Sequence, residues 1–421
     1  MNGDYVKSRI KLTIGILVSN RIDYIEKVML GIKPLLDKVP SELIAVDTVG
    51  PENSDGSVDV VRKYTDKIFR FEWCNDFSKA RNVCLEHAKG EWFMFLDDDE
   101  VFEDVSEIVD FFVSGECEHY LSGIYHLKNH LNDGIERMSA VLRLIRRKED
   151  TCFVGRIHES FNEVSEPCKL FTAYVNHYGY RFVDEEAVKR HQQRNLSILR
   201  EEIRDRGLTT DRAAQLVQEM IFTKGTEDEG YRELIECREK FTEKELSEAS
   251  GQWLLTAGVS YYYNLGKHKE ALEEDRRIRE RYTLSETSRL VLSGTCIFSA
   301  AKLDMSDACV DYAKEYISLY EWLSDGKRET VLQMGLGTED FRQPEYARGV
   351  MTIGILAAHK AGRYDEGLMF LAKMTEPGID PDETVSMLIG EFLEKSQDAE
   401  NKKAYLSRFL TEEGKAVYGY K

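Results

Sequence analysis

Three consecutive carboxylates, Asp97, Asp98 and Asp99, directly follow an apolar run at Trp92–Leu96. The run has the composition of a buried strand, which places the carboxylates at a strand's end. Neighbouring carboxylates repel one another and lose hydration on burial unless a cation or water lies among them. Oxygen-only ligands indicate Mg²⁺ or Mn²⁺, whose usual task is to neutralise phosphate oxygens. Because an isolated Asp triplet is more often a solvated turn, the metal-site interpretation depends on the segments upstream.

Those segments alternate between short apolar runs and amphipathic stretches. The pattern predicts strands at Leu12–Ser19, Leu43–Val46, Ile68–Phe71 and Trp92–Leu96, with a helix between each pair. Such alternation indicates a parallel α/β sheet, in which ligands gather at the carboxyl ends of the strands. Ser19, Asp47 and Asp97 all lie at such ends.

The order of the motifs in this half resembles that of the family 2 glycosyltransferases of GT-A fold. The resemblance rests on VSN at Val18–Asn20, DTVGPENSDGS at Asp47–Ser57, ARN at Ala80–Asn82, DDD at Asp97–Asp99, RLIRR at Arg143–Arg147, VGRIHES at Val154–Ser160 and VNHYGY at Val175–Tyr180. The later segments resemble a branch that includes lipopolysaccharide-core glucosyltransferases and sublancin-type peptide S-glycosyltransferases, and NDFSKARN with the helical tail resembles the peptide-modifying group most. Two departures stand out. The loop after Asp47 is long, which leaves Ser54 and Asp55 as counterparts of the family's distal Ser and Asp, and Arg21 stands where many relatives carry Glu.

The resemblance implies a nucleotide-sugar site with a divalent metal, Mn²⁺ or Mg²⁺, and a UDP-sugar as the expected donor. The predicted metal residues are Asp97, Asp99 and His177, with Asp99 as the direct ligand. The predicted donor-binding residues are Ser19, Asp47, Arg81, Asp97 and Asp98. Several of these have simpler explanations: Asp47 could equally fix the turn that follows it, and Arg81 could pair with Asp47, Asp97, the diphosphate or a structural partner. The arginines Arg143, Arg146 and Arg147 fit phosphate binding or a solvated basic patch equally well.

An inverting transfer also needs a base that faces the acceptor. The resemblance places Glu159 there, and the neighbouring His158 could orient that carboxylate or be the base itself. The alternative is that this His-Glu pair merely hydrogen-bonds a loop. A single histidine such as His177 is more often structural, but its place in the ordered set of motifs favours a functional role.

The composition fits a soluble enzyme of a reducing, cytoplasmic compartment. The formal net charge is −19 at pH 7, which argues against a nucleic-acid surface. The eight cysteines are scattered without a CxxC pair or metal-type spacing. No stretch has the uninterrupted apolar length of a membrane span, and the N-terminus MNGDYVKSR lacks the apolar core of a secretion signal.

Charged helical periodicity replaces the strand pattern from about residue 186. We therefore predict a GT-A domain at 1–205 and an all-α domain of helical hairpins, resembling tetratricopeptide repeats, at 206–421. Gly258–Leu272 and Gly354–Leu368 share a spacing of glycines, and a looser copy lies at Gly294–Ala308. Small residues there would let helices approach closely, although an irregular bundle explains the pattern nearly as well. Helical hairpins suit a peptide or a second copy of the chain as partner.

Taken together, the sequence predicts a metal-dependent glycosyltransferase that moves a sugar to a peptide or protein side chain, at Cys, Ser or Thr, with inversion. Two alternatives stay open. One is a glycosyltransferase that acts on a lipid-linked or polysaccharide acceptor, and the other is a non-catalytic helical-repeat interaction protein.

Overall fold

The protein is described by a computed structural model that covers residues 5–131, 134, 136–163, 165–182, 184–223, 225–324, 341, 343–375 and 383–409. The first four residues of the stretch considered above for secretion lie outside this range. The chain divides into two compact units, residues 1–208 and 209–421. In the described part of the chain, none of the helices combines the length and the apolar character that crossing a bilayer demands.

The first unit is built on a mixed eight-stranded sheet. The strands of this sheet are β1 (Leu12–Val18), β2 (Ser41–Asp47), β3 (Ile68–Arg70), β4 (Trp92–Asp97), β5 (Glu100–Phe102), β6 (Ser122–His130), β7 (Glu136–Arg146) and β10 (Cys168–His177). A separate two-stranded sheet contains β8 (Phe153–Val154) and β9 (Ser160–Phe161). The order across the large sheet is β3-β2-β1-β4-β7-β6-β10-β5. The first four strands are mutually parallel, and β7 joins β4 in the antiparallel sense.

The helices of this unit are α1 (Ile22–Lys38), α2 (Ser57–Val61), α3 (Phe77–His87), α4 (Ser106–Val113) and α5 (Glu185–Arg206). Every residue of β1 is buried, as expected for a central parallel strand covered on both faces. The apolar stripe of α1, which includes Ile25, Val28 and Ile32, packs into the same core as β1 and β4. The buried sheet therefore fixes where its strands end, and polar groups collect at those ends.

The second unit consists of helices throughout its described residues. They are α6 (Thr210–Phe222), α7 (Glu227–Lys240), α8 (Glu243–Leu246), α9 (Ala249–Asn264), α10 (His268–Arg281), α11 (Glu286–Lys302), α12 (Ser306–Ser324), α13 (Pro344–Ala361), α14 (Tyr364–Thr375), α15 (Glu383–Lys395) and α16 (Ala399–Phe409). The predicted α/β unit followed by an all-helical region is confirmed.

Each glycine-spaced segment covers the end of one helix and the start of the next, but the glycines work differently. At Gly354 a side chain would collide with Ala313 and Phe370, so this glycine allows the close helix approach expected from its size. At Gly258 a side chain would instead meet the guanidinium of Arg238. That guanidinium donates to the backbone oxygens of Leu254 and Leu255 and pairs with a glutamate of α10. Here glycine makes room for a buried charge.

Candidate active site

The sheet brings three polar strand ends together. In the register of the parallel strands, Asp47 of β2 lies opposite Val18, and Asp97 of β4 lies opposite Leu17. The residues just beyond β1 therefore stand between the two aspartates. This is the edge at which open α/β sheets bind ligands.

Asp97 is held by two arginines. Arg81 Nη2 lies 2.6 Å from its Oδ1, and Arg143 Nη2 lies 3.4 Å from its Oδ2. Both guanidinium groups also lie over the ring of Phe95, at 4.4 Å and 4.2 Å from its centroid. Burial alone would raise the pKa of Asp97, but the two arginines outweigh it and the pKa is lowered. Asp97 is thus an ionised carboxylate whose two oxygens are both engaged.

Arg81 links Asp97 to Glu159. Its Nε donates to Glu159 Oε1 over 2.5 Å, and its side chain is only 5% exposed. Arg81 thus pairs with Asp97, one of the partners considered from the sequence, and also with Glu159, which the sequence did not suggest. The loop that carries Glu159 turns at His158, which has a φ of +51° and an exposed side chain. Glu159 points inward to Arg81, and His158 lies at the surface.

Asp98 turns toward the end of β1. Its Oδ2 accepts hydrogen bonds from the backbone N–H of Ser19 at 2.5 Å and from the Ser19 hydroxyl at 2.8 Å. Burial, helped by the adjacent Asp99, raises the pKa of Asp98 to about 7. Asp98 and Ser19, both predicted to bind the donor, are thus bonded to each other, and Asp98 joins β4 to β1.

Asp99 faces the end of β10. Its Oδ1 lies 3.6 Å from His177 Nε2, and its Oδ2 lies 3.3 Å from Arg21 Nε. Gly179 covers this pair so closely that a Cβ there would come within 2.5 Å of His177 Nε2. Burial raises the pKa of Asp99 and lowers that of His177, so each group resists the charge that an ion pair would need. Across the described residues, no three His, Cys, Asp or Glu side chains form a group that could hold a metal ion by themselves.

The site holds more acidic than basic groups. Five carboxyl groups, those of Asp97, Asp98, Asp99, Glu100 and Glu159, contact or neighbour three guanidinium groups, those of Arg21, Arg81 and Arg143. Burial raises the pKa of Glu100 to about 8 although Arg143 pairs with it. Raised pKa values of Asp98, Asp99 and Glu100 show that negative charge is unfavourable in this buried cluster, and a bound cation would lower that cost.

Asp47 fixes the turn that follows it. Its Oδ1 accepts from the backbone N–H groups of Val49 and Gly50 at 2.9 Å and 2.8 Å. In the same loop, Asp55 accepts the Ile22 N–H at 2.9 Å and so begins α1. The simpler explanation of Asp47 therefore accounts for one of its oxygens, and Asp55 has a helix-capping role.

Only the first of the three arginines of RLIRR enters the site. Arg146 pairs with Glu118 at 2.8 Å, and Arg147 donates to two backbone oxygens next to β4. The sequence also missed partners that the structure places here, namely Glu100 against Arg143, and Asn129 against His177. Glu100 directly follows the Asp triplet and could have been suspected, whereas nothing in the sequence around Asn129 marks it.

Comparison with known proteins agrees with the motifs. Residues 13–189 match a protein-family model described as glycosyl transferase family 2. The SPbeta prophage-derived glycosyltransferase SunS of Bacillus subtilis (strain 168) is 27% identical over 211 residues, which are 46% of this chain and 45% of SunS. A TPR repeat-containing protein of Synechococcus elongatus is 25% identical over 182 residues, 40% of this chain and 42% of that protein. The chain thus spans less than half the length of these curated relatives.

Solved structures give weaker likenesses. The crystal structure of S. aureus TarS 1-349 in complex with UDP-GlcNAc is 12% identical in sequence to this chain and has a TM-score of 0.32. The alignment covers 76% of this chain and 92% of that chain. The mannosyltransferase PcManGT from Pyrobaculum calidifontis, in complex with GDP-Man and Mn²⁺, is also 12% identical and has a TM-score of 0.34, with 56% and 79% covered. Scores at this level add nothing on function. The first unit is assigned to the GT-A fold on its family match and its sheet.

Proposed function

We propose, from the match of residues 13–189 to the glycosyl transferase family 2 model, that the chain is a metal-dependent, inverting glycosyltransferase that moves a sugar from a UDP-sugar to a peptide side chain. The observation that carries the proposal is the group of Asp97, Asp98 and Asp99 at the carboxyl end of β4, beside the end of β1 and inside the matched region. The surplus of carboxyl groups over guanidinium groups there suits a divalent cation and a diphosphate.

Asp99 and His177 are the proposed ligands of that cation. When bound, the ion would neutralise diphosphate oxygens as the nucleotide leaves the sugar. Two protein ligands fit Mg²⁺ and Mn²⁺ chemistry, because water and phosphate oxygens complete the coordination of such ions. Asp97, which the sequence placed beside Asp99, is proposed instead to hold Arg81 and Arg143 in position, since both of its oxygens face them.

Glu159 is the proposed general base. Arg81 fixes its Oε1, so its other oxygen is the atom that would take the proton of the acceptor's hydroxyl or thiol. The exposed His158 and the high-pKa Asp98 are the next candidates if Glu159 fails. Ser19 and Asp47 are proposed to contact the nucleotide, for which their place at the ends of β1 and β2 is the support.

The proposal of a peptide as the acceptor is supported by other features of the chain. NDFSKARN resembles the peptide-modifying branch of the family, and a second unit of consecutive helices, tetratricopeptide-like in its glycine spacing, suits an extended peptide. The SunS match covers 45% of SunS, and the acceptor screen below therefore compares peptide acceptors with lipid-linked and polysaccharide acceptors.

The test is a donor screen followed by an acceptor screen. Hydrolysis and binding of several UDP- and GDP-sugars are measured with Mn²⁺, with Mg²⁺ and with a chelator, and peptides encoded by neighbouring genes are then analysed by mass spectrometry. Cation-dependent hydrolysis of one UDP-sugar and a hexose-sized mass gain on a peptide would support the proposal. Turnover that is equal with the chelator would contradict the metal role, and transfer only to lipid-linked or polysaccharide acceptors would contradict the peptide.

A further inference from the structure

Asn129 is a buried amide that meets His177 across two neighbouring strands. It lies on β6 directly opposite His177 of β10 in the strand register. Asn129 is only 7% exposed, and its Oδ1 lies 2.6 Å from His177 Nδ1. The contact is therefore a short hydrogen bond, sheltered from water, to the ring nitrogen that faces away from Asp99.

The orientation of this amide is forced by its other partners. The Asn129 Nδ2 donates to the backbone oxygen of Arg137 at 3.2 Å and to the Ser139 hydroxyl at 3.1 Å. A backbone carbonyl can only accept a hydrogen bond, so the group that faces Arg137 must be the NH₂. The oxygen of the amide must then face His177.

An amide oxygen also only accepts, so His177 Nδ1 must carry a hydrogen. In the neutral ring the lone pair is then on Nε2, which faces Asp99 Oδ1 at 3.6 Å. Two acceptors thus point at each other, with Gly179 over the gap between them. With the opposite tautomer, Nε2–H would donate to Asp99 and close this position.

We propose that Asn129 is a positioning residue that fixes the Nδ1–H tautomer of His177 and thereby reserves Nε2 for a divalent cation. The second half of this inference rests on the proposed function, and the first half does not. Partners that orient a metal-bound histidine in this way typically contribute about 10–100-fold to metal affinity. Asn129 contacts the His177 ring, and its proposed effect on the cation is exerted through that ring.

The chain offers a matched control on the same two strands. Asn176 is an equally buried amide next to His177, and it also hydrogen-bonds a histidine ring, at 2.8 Å from His130 Nε2. Asn176→Leu removes a comparable amide without touching the His177 ring contact. Asn129→Leu removes the acceptor, whereas Asn129→Asp retains an oxygen that accepts from Nδ1–H.

The experiment has two readouts on the full-length protein. Nitrogen-15 NMR of histidine-labelled, cation-free protein at about pH 7.5 reports the tautomer of each neutral ring, with the His177 signal assigned by its loss in His177→Gln. Mn²⁺ binding is measured separately by calorimetry, with and without UDP. We expect Nδ1–H in the wild type, in Asn176→Leu and in Asn129→Asp, but Nε2–H in Asn129→Leu together with Mn²⁺ affinity about 10–100-fold weaker.

Three results would count against the inference, and they are distinguishable. An Nε2–H ring in the wild type, or an unchanged Nδ1–H ring in Asn129→Leu, overturns the role of Asn129 and leaves the proposed function intact. A changed tautomer with unchanged Mn²⁺ affinity overturns the reservation of Nε2. No Mn²⁺ binding by the wild type overturns that reservation and the metal part of the proposed function together, while the tautomer is still decided by NMR.

Discussion

Replacing Arg81 by methionine should destabilise the first unit far more than replacing any exposed arginine. The side chain of Arg81 is 5% exposed and pairs with both Asp97 and Glu159, at 2.6 Å and 2.5 Å. Methionine keeps much of the apolar stem but leaves two carboxylates without this partner. Asp97 retains only the longer contact to Arg143.

The expected loss is about 3–5 kcal/mol, the usual cost of removing one partner from a buried ion pair. It is the uncompensated charge that costs this much, because the pair itself has already lost its hydration. The matched control is Arg62→Met, which breaks a 2.6 Å pair with Asp59 whose side chains are 62% and 75% exposed. Solvent screens that pair, so the control should change stability little.

Hydrogen exchange in the presence of urea suits this measurement, because it follows the first unit separately from the second. Amides of β4 and α3 should exchange about 10²- to 5 × 10³-fold faster in Arg81→Met, which corresponds to the free energy above. Their exchange should be nearly unchanged in Arg62→Met. If Arg81→Met speeds exchange no more than Arg62→Met does, the Arg81 guanidinium does not balance buried charge.

The stability difference between the wild type and Arg81→Met should depend on pH, because it arises from an ionised carboxylate. The folded-state pKa of Asp97 is lowered, so its stabilisation is present above the ordinary aspartate pKa of about 4 and is lost as the pH falls through the folded value. The difference between the wild type and Arg81→Met should therefore be full near pH 7 and shrink as the pH falls below about 5, where the stranded Asp97 carboxylate of the variant takes up a proton. A difference that is equal at both pH values would point to lost packing instead of lost charge.

Three further predictions concern the reaction. Asp99→Ala should abolish cation-dependent UDP binding in calorimetry, because one remaining ligand cannot replace a direct carboxylate; full affinity with cation still required would remove Asp99 from the ligand set. Glu159→Gln should keep donor binding but slow transfer by about 10²-fold or more. The control Glu163→Gln, which breaks a surface pair with Lys148, should leave the transfer rate unchanged. If Glu159→Gln also leaves the transfer rate unchanged, the base is another group. A chain that ends at Leu208 should still hydrolyse the sugar nucleotide, once shown to be soluble, but should no longer modify the peptide. If it does so at the full rate, acceptor recognition lies in the first unit and the second unit serves assembly of copies.

The positions of the strands were predictable because they depend on local composition. A central parallel strand is buried on both faces and therefore appears as an unbroken apolar run, as at Leu12–Val18 and Trp92–Asp97. Where such a run stops, the chain leaves the core and polar residues can follow. That Asp47 and Asp97 lie at the same edge of the sheet follows from this pattern together with the parallel order expected for alternating strands and helices. The register of β1 with β2 and with β4 confirms it.

The partners of the charged residues were not predictable in the same way. The sequence left Arg81 with several candidates, and the structure pairs it with a glutamate 78 residues away. That pairing depends on a loop that turns at His158 in the left-handed region, a conformation that the sequence did not indicate. Likewise Arg143 enters the site while Arg146 and Arg147, in the same motif, do not. Arg146 pairs with Glu118, and Arg147, which lies beyond the end of β7, donates to the backbone oxygens of Ala88 and Gly90.

The three aspartates show most clearly which features follow from local sequence and which follow from the tertiary structure. The sequence by itself determined that carboxylates would stand at the end of β4, at the ligand-binding edge of a parallel sheet, because the apolar run ends there. Only the tertiary structure decided what each carboxylate faces: Asp97 faces two arginines, Asp98 faces Ser19 and Asp99 faces His177 and Arg21. Those five partners come from four other segments of the chain, namely the turn between β1 and α1, α3, β7 and β10. Their placement depends on the packing of the whole sheet, which no local pattern encodes.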